Sequence, residues 1–326
     1  MKKNIAIIMG GYSSEVAISL KSGNVVYKHL DTSKYNGYRI HILKEKWVYI
    51  NDNNHETSIN KTDFSITINN EKIVFDAVFN AIHGTPGENG IILAYFDLLG
   101  IKHTSAPFYQ MALTFNKRDT LSVVKQYGIP TAKSVYLNKG DEINHKAIVE
   151  KLGLPCFVKP NNAGSSFGIS KVHHIEDLQS AIEFAFKEDS EILIESFLNG
   201  TEVSVGVIEY QNEITVLPIT EIVSENDFFD YEAKYLGKSQ EITPARLSES
   251  QEEKVKKIAK KVYKVLNMSG FSRSEYIFVN DEPHFLEMNT VPGLTEASIL
   301  PQQAKQHGIS LQELFTNAIE TALNKN

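Results

Sequence analysis

The densest chemistry in the chain stands near its end, in "RSEYIFVNDEPHFLEMNT". Glu287 and Asn289 are two residues apart in the run "FLEMNT", so on a strand they point to one face. Glu275 falls in the preceding strand-like run, and Arg273, two residues earlier, shares its face. A strand with a buried face rarely carries such groups without a reason. Two carboxylates and an amide oxygen suit Mg2+, which takes oxygen ligands and shares the rest of its shell with phosphates. The plainer alternative is surface charge on an edge strand.

A second constellation is "VKPNNAGSSFGISKV". Eleven residues separate Lys159 from Lys171, among them two glycines, three serines and two asparagines. Glycines allow close backbone approach, and successive N–H groups can form an anion-binding concavity. Ser165 and Ser166 add hydroxyl donors, and Lys159 adds positive charge. No GK[ST] closes the loop, so it is not the Walker pattern, and no GxGxxG is present. Taken alone it reads as a phosphate loop or as a hairpin turn.

Five further positions are ambiguous one at a time. Lys117 and Lys234 read as phosphate cations or as surface lysines. Glu15 reads as a ligand or as a first-turn acid that favours the helix dipole. His83 could end a strand, and Tyr235 in "FFDYEAKYLGK" could pack a loop.

The elements that must position these residues divide into three units. Over 1–105, "NIAIIMGG" followed by "VAISLKSGNVVYKHL" reads as strand, glycine turn and helix, with Ser13 or Ser14 as cap. Val16, Leu20, Gly23, Tyr27 and Leu30 follow helical spacing. "FDAVFNAIHGTPGENG" is a further buried strand ending in a loop, with a helix after it. Alternating strands and helices predict an α/β unit with an open parallel sheet. Ligands gather at the carboxyl ends of such strands, where Gly10–Glu15 and His83–Gly90 fall. Over 106–196, one long helical stretch leads to alternating strands and helices that suit a small α+β unit. Over 197–326, "TEVSVGVIEY" and "EITVLPITEIV" alternate like antiparallel strands, and a lysine-rich helix with a solvated face precedes the two acidic strands. The polar stretch 224–248 has no periodicity and is predicted to be a mobile active-site loop.

Composition narrows the field. With 42% apolar and 22% charged residues the chain is globular, and 326 residues is long for one core. A net charge of −7 argues against a broad nucleic-acid surface. The single cysteine, Cys156, excludes an internal disulfide and reads as a small buried hydrophobe. The apolar run after "MKKN" is too short for a signal peptide or for the about 20 residues that span a membrane. A cytoplasmic protein is expected.

Taken in order, "GGYSSE", "HGTPGENG", Asn116–Lys117, "VKPNNAGSSFGISKV", "LIESFLNGTEVSV", "DYEAKYL" and "FLEMNTVPGLTEAS" resemble the D-alanine–D-alanine ligases of the ATP-grasp superfamily over nearly the whole chain. The resemblance implies an ATP-grasp fold and ligation of two D-alanines through a D-alanyl phosphate, for peptidoglycan precursors. It implies ATP phosphates on Lys117, Lys159 and Ser166, with Lys234 near the transferred group. Glu195 and Leu198 would meet the adenine side and Glu202 a ribose hydroxyl. Glu275, Glu287 and Asn289 would hold two Mg2+, with Mn2+ as a substitute. Arg273 and the Gly293 N–H would stabilise the oxyanion. Glu15 would anchor the first D-alanine's ammonium beside His83, joined to Ser165 and Tyr235, and Ser298 would receive the second carboxylate. A homodimer is implied as well.

This sequence departs from the family pattern in places. Glu275 stands where Asp is usual, Ala17 where an acid often occurs, and Ala297 where histidine often precedes the serine. "HTSAPF" replaces a glycine-rich turn. The tyrosine of "AKYL" is the family's sign for D-alanine rather than D-lactate as second substrate, and D-serine is harder to separate. A ligase for another carboxylate–amine pair would keep the nucleotide and metal residues and change Glu15, Tyr235 and Ser298. A non-catalytic nucleotide binder would have lost Arg273 or a metal ligand. A dinucleotide oxidoreductase would leave everything after residue 150 unexplained.

Overall fold

The structure, a computed structural model, describes residues 1–162, 164, 168–224 and 239–325. The first unit runs β1 (Lys3–Gly10), α1 (Val16–Lys28), β2 (Tyr35–Ile42), β3 (Trp47–Ile50), β4 (Glu56–Ser58), β5 (Ile66–Ile68), β6 (Glu71–Ile73), β7 (Ala77–Asn80), α2 (Ile91–Leu99) and β8 (Lys102–His103). Its main sheet has the order β4-β3-β2-β1-β7-β8. β2, β1, β7 and β8 are parallel, as the buried apolar runs predict. β3 and β4 add an antiparallel edge.

Helix α1 lies otherwise than its apolar spacing suggests. The buried positions are Ser19, Ser22, Gly23 and Val26. The helix sits so close to β1 that a Cβ on Gly23 would fall 2.6 Å from Met9 Cε. Small residues are needed there, and the Ser19 hydroxyl satisfies buried backbone by accepting from Gly10 N–H and donating to Ala81 O. Neither serine is the N-cap. That place falls to Glu15, whose side chain makes no capping bond. The Ser13 hydroxyl instead accepts from Glu15 N–H at 3.3 Å and donates to His83 O at 3.2 Å.

The second stretch holds α3 (Phe108–Phe115), α4 (Lys117–Gln126), β9 (Ser134–Asn138), α5 (His145–Leu152), β10 (Cys156–Pro160), β11 (Ser170–Val172), α6 (Leu178–Ala185) and β12 (Glu191–Ser196). The single predicted helix is broken at Asn116, whose side chain accepts from Asp119 N–H and caps α4. The strands form an antiparallel sheet, β11-β10-β12-β9, covered by α5 and α6, with Cys156 fully buried beneath.

The third stretch holds β13 (Thr201–Tyr210), β14 (Glu213–Val216), β15 (Thr220–Ser224), β16 (Ser239–Ile242), α7 (Glu249–Val265), β17 (Phe271–Val279), β18 (Glu282–Asn289), α8 (Ile299–Gln306) and α9 (Leu311–Asn324). Its sheet runs β16-β15-β13-β17-β18, all antiparallel, with β14 on β13. The polar 224–248 stretch is thus not structureless throughout, because residues 239–242 pair back onto β15. Helix α7 opens with a Ser248–Gln251 capping box, buries Val255, Ala259, Val262 and Tyr263, and turns most of its lysines to solvent.

Two packing relations cross these stretches. Met111, Leu121 and Val124 of α3 and α4 share a core with Val203, Tyr276 and Phe285 of the third sheet. Phe315 and Ile319 of α9 pack with Ile5, Ile7 and Phe79 under the first sheet, the Phe79 and Phe315 rings 5.6 Å apart. No helix among the described residues is long and apolar enough to cross a membrane.

Candidate active site

The register of β17 and β18 sets Glu275 directly opposite Glu287 and Arg273 opposite Asn289. The two pairs share one face because the register between them is unbroken, and a bulge follows only after Glu275, where Tyr276 pairs with Phe285. On the other side of β17, Ser204 of β13 lies opposite Glu275. The Arg273 Nη1 donates to Glu275 Oε1 at 2.6 Å and to Ser204 Oγ at 3.0 Å. Burial alone would lower the guanidinium's pKa, but the carboxylates of Glu275, Glu287 and Glu241 raise it above the usual value.

Two lysines converge on this face from outside the sheet. Lys117, the first residue of α4, puts Nζ 3.1 Å from Glu287 Oε2. Lys159 of β10 donates to Glu195 Oε2 at 2.8 Å, and both side chains are largely buried. Desolvation opposes the ammonium, yet Glu195 first, with Glu287 and Glu202, keeps its pKa above the ordinary lysine value. The other Glu195 oxygen, Oε1, is buried with no hydrogen-bond partner among the described residues. Glu202 is the second residue of β13, just after Leu198 and Gly200. A Cβ on Gly200 would lie 1.7 Å from Phe278 O, so only glycine brings the chain past β17 at this point.

Glu15 lies beneath two glycines. A Cβ on Gly84, or on Gly164 of the serine loop, would fall 3.1 Å from its Oε2. His83 is buried with both ring nitrogens engaged. Nδ1 donates to Val291 O at 2.7 Å, so Nε2 is the acceptor and takes the Ser22 hydroxyl proton at 3.0 Å. The Ser22 oxygen in turn accepts from Leu294 N–H. Burial lowers the imidazole's pKa despite the nearby Glu15 charge, which fits this neutral tautomer. Gly293 adjoins Ser298, whose Oγ a Cβ would meet at 2.7 Å, and that hydroxyl pairs with Thr295 Oγ1 at 2.8 Å.

Ser165, Ser166, Lys234 and Tyr235 lie outside the described residues. Of the other predicted positions, Arg273 stands with Glu275, Glu287, Asn289 and Lys117, Lys159 with Glu195, Glu15 with His83 and Gly293 with Ser298, while Leu198 and Glu202 lie on either side of Gly200. Two residues escaped the sequence reading. Asn161 takes Arg118 N–H on Oδ1 at 2.8 Å and donates to Glu191 Oε2, so it ties the serine loop to α4 and β12. Glu88 accepts from Gly84 N–H, and burial together with Glu15 pushes its pKa up to about 7. Glu88 had a signal, an acid inside a glycine-rich loop at a strand's carboxyl end. Asn161 sat in a run of similar polar residues with nothing to set it apart.

Among the described residues no three His, Cys, Asp or Glu side chains are arranged as a metal cluster. The donor set on the strand face is two carboxylates and an amide. One oxygen of each carboxylate is committed to a cation, Glu275 to Arg273 and Glu287 to Lys117. Hard oxygen donors beside buried lysines fit Mg2+ shared with phosphate oxygens.

Two antiparallel sheets facing each other across buried lysines and acids, behind a parallel-sheet unit, make the ATP-grasp architecture of nucleotide-dependent ligases. Residues 4–106 match the family model described as D-ala D-ala ligase N-terminus, and residues 123–320 match D-ala D-ala ligase C-terminus. The chain is 69% identical to the D-alanine–D-alanine ligase of Flavobacterium johnsoniae, over 98% of this chain and 99% of that one. Among solved structures, the D-Ala:D-Ser ligase of Enterococcus faecalis superposes with a TM-score of 0.85 at 31% identity, covering 98% of this chain and 99% of that one. The ATP complex of the Bacillus anthracis D-alanine–D-alanine ligase gives 0.79 at 28% identity, covering 98% and 97%. The chain belongs to the D-alanine–D-alanine ligase family, which joins two D-alanines with ATP and a divalent metal.

Proposed function

We propose that the face shared by Glu275, Glu287, Asn289 and Arg273 is where ATP activates the carboxylate of a first D-alanine as an acyl phosphate. The observation that carries this reading is the β17–β18 register together with Lys117 lying 3.1 Å from Glu287. Phosphoryl transfer needs charge neutralisation and alignment more than covalent help from the protein. Lys117 and Lys159 hold the ATP phosphates, aided by Ser166 and Lys234. Glu195 and Leu198 take the adenine side, and the unpaired Glu195 Oε1 leaves an acceptor there. Glu202 takes a ribose hydroxyl. Glu275, Glu287 and Asn289 would hold two Mg2+, or Mn2+, which would neutralise phosphate charge when bound.

Glu15 binds the first substrate's ammonium and His83 backs it. Ser165 and Tyr235 join Glu15 over the site, and closure keeps water from the acyl phosphate. The second D-alanine, its carboxylate on Ser298, attacks through its amine. Arg273 and the Gly293 N–H stabilise the oxyanion of the tetrahedral intermediate, which collapses to D-alanyl-D-alanine and phosphate. The product serves peptidoglycan precursor synthesis in the cytoplasm. The working units are 1–105, 106–196 and 197–326. The chain acts as a homodimer without nucleic-acid or membrane partners, and exposed Leu98 and Tyr109 on α2 and α3 offer an apolar face for pairing.

The test is phosphate release with ATP and Mg2+ and each of D-alanine, L-alanine, D-lactate and D-serine, with products identified by mass. Release that needs D-alanine and yields the D-alanyl dipeptide supports the reading. A mixed product with D-serine, the substrate in the name of the Enterococcus faecalis relative, would keep the mechanism and change the second substrate.

A further inference from the structure

The segment from Val291 to Ser298 belongs to the third stretch of chain, yet side chains of the first unit hold its backbone. His83 Nδ1 donates to Val291 O at 2.7 Å. Ser22 of α1 accepts from Leu294 N–H at 3.2 Å and donates its own proton to His83 Nε2 at 3.0 Å. Further along, His29 at the end of α1 meets Glu296 at 3.2 Å, but that pair is open to water and weak. Ser22, His83 and Leu294 are all buried. A hydroxyl has one proton to give and lone pairs to accept with, so this one side chain satisfies a ring nitrogen and a backbone N–H together. Pro292 fixes φ between the two held ends of the segment. Gly293 follows it, and its N–H donates to no acceptor among the described residues.

We propose that Ser22 is a positioning residue that locks the Val291–Leu294 backbone onto His83, and so aims the Gly293 N–H and Ser298 at the second substrate. The inference rests on the proposed roles of Gly293 and Ser298. With Val291 O, Pro292 and Leu294 N–H all fixed, the direction of the Gly293 N–H is fixed too. Ser298 follows, because its Oγ lies 2.7 Å from where a Cβ on Gly293 would stand. Helix α1 then serves both substrates, with Glu15 at its N-cap and Ser22 about two turns on. Alanine at 22 would leave Leu294 N–H and His83 Nε2 buried without partners, and the segment would move to find them.

The experiment measures phosphate release by the full chain at saturating MgATP while D-alanine is varied, which separates the half-saturation of the two D-alanine sites. Ser22→Ala should lower kcat about tenfold, less than the hundredfold or more lost when an oxyanion donor is removed outright. The KM of the second D-alanine should rise about threefold to tenfold, as for a misplaced contact. The KM values for ATP and for the first D-alanine should hold. A role confined to packing α1 would disturb Glu15 as well, so an equal rise in both D-alanine KM values would overturn the proposal. Unchanged kcat and second-site KM would overturn it too. Ser22→Cys, a weaker donor and acceptor of similar size, should recover part of both losses. Joined to Ser298→Ala, Ser22→Ala should cost less than the product of the two single losses, because both act through one segment, and independent effects would count against it. Thermal unfolding checks the fold, and if Ser22→Ala does not fold, Ser22→Cys carries the same test with smaller shifts. Should Ser298→Ala leave the second KM unchanged, the assigned role of Ser298 falls, and the kcat of Ser22→Ala still judges Ser22 through Gly293.

Discussion

Lys117 Nζ lies 3.1 Å from Glu287 Oε2, so the first residue of α4 is joined to the acidic strand β18. Each group answers the other's charge in the chain without nucleotide. In the proposed site, phosphate would replace Glu287 at the lysine and a cation would replace the lysine at Glu287, so nucleotide and metal would enter together. Lys117→Gln should weaken MgATP binding about ten- to hundredfold, the worth of a charge-assisted hydrogen bond in a partly buried site. Glu287→Gln should behave differently. Metal-free ADP should bind it no more weakly than the wild type, while the gain on adding Mg2+ shrinks. Calorimetric titration with and without EDTA reads both effects, and an undiminished Mg2+ gain in Glu287→Gln would remove that residue from the metal site.

The serine loop touches the substrate end of the site through Gly164. A methyl there would stand 3.1 Å from Glu15 Oε2, tighter than ordinary contact, and would press on the carboxylate. Gly164→Ala should raise the KM for D-alanine about threefold to tenfold, on the scale of an overpacked contact of about 1 kcal/mol, with unfolding unchanged. Glu15→Gln should raise it further, since it removes the charge proposed to meet the ammonium. Initial rates against D-alanine decide the matter, and a Gly164→Ala enzyme with an unaltered KM would separate the loop from Glu15.

Gly200 is a fold constraint beside the nucleotide residues. A Cβ there would lie 1.7 Å from Phe278 O, and neither backbone can yield without loosening the β13–β17 ladder. Gly200→Ala should cost about 3 kcal/mol or more, at the upper end of overpacking, and lower the Tm by several degrees. Equal melting curves for the two proteins would show that the turn relaxes freely.

The acidic strand face was legible in the sequence because a period of two makes side-chain direction a matter of counting. Glu287 with Asn289, and Arg273 with Glu275, could be placed on shared faces, and the ladder sets the two pairs side by side. The parallel sheet was legible for the same kind of reason, since a strand buried on both faces is a continuous apolar run. Helix α1 was misread because its sheet-facing residues are small rather than apolar. Close approach to Met9 selects Gly23, which the spacing included, but buried Ser19 and Ser22 are polar, and an apolar count overlooks them. Lys117–Glu287 and His83–Val291 join residues 170 and 208 positions apart. Such pairs exist only after the units pack, and no local spacing announces them. The break at Asn116 was visible in principle, as an asparagine three residues before an acid, but Met111 to Leu113 and Lys117 with Arg118 on its two sides favour helix.

Glu88 and His83 give the stability a pH dependence of two opposite signs. Glu88 titrates at about 7 in the folded chain against an ordinary 4.5, because burial and the Glu15 charge disfavour its ionised form. Between those values the folded state keeps a proton that the unfolded state releases, so this group's contribution falls as pH rises from 4.5 to about 7. His83 is held below its ordinary 6.5 by burial, so its contribution is full above that pH and is lost as pH falls below it. Glu88→Gln cannot ionise but still offers an oxygen to Gly84 N–H. Relative to the wild type, it should gain about 1–2 kcal/mol between pH 5 and pH 8, a figure reduced for the partial solvation of the site. The acid-side loss from His83 should remain in the variant. Urea unfolding across this range measures both limbs. Parallel stability curves for variant and wild type would mean that Glu88 is ionised at its ordinary pKa in the folded protein, with Lys117 or solvent holding its charge.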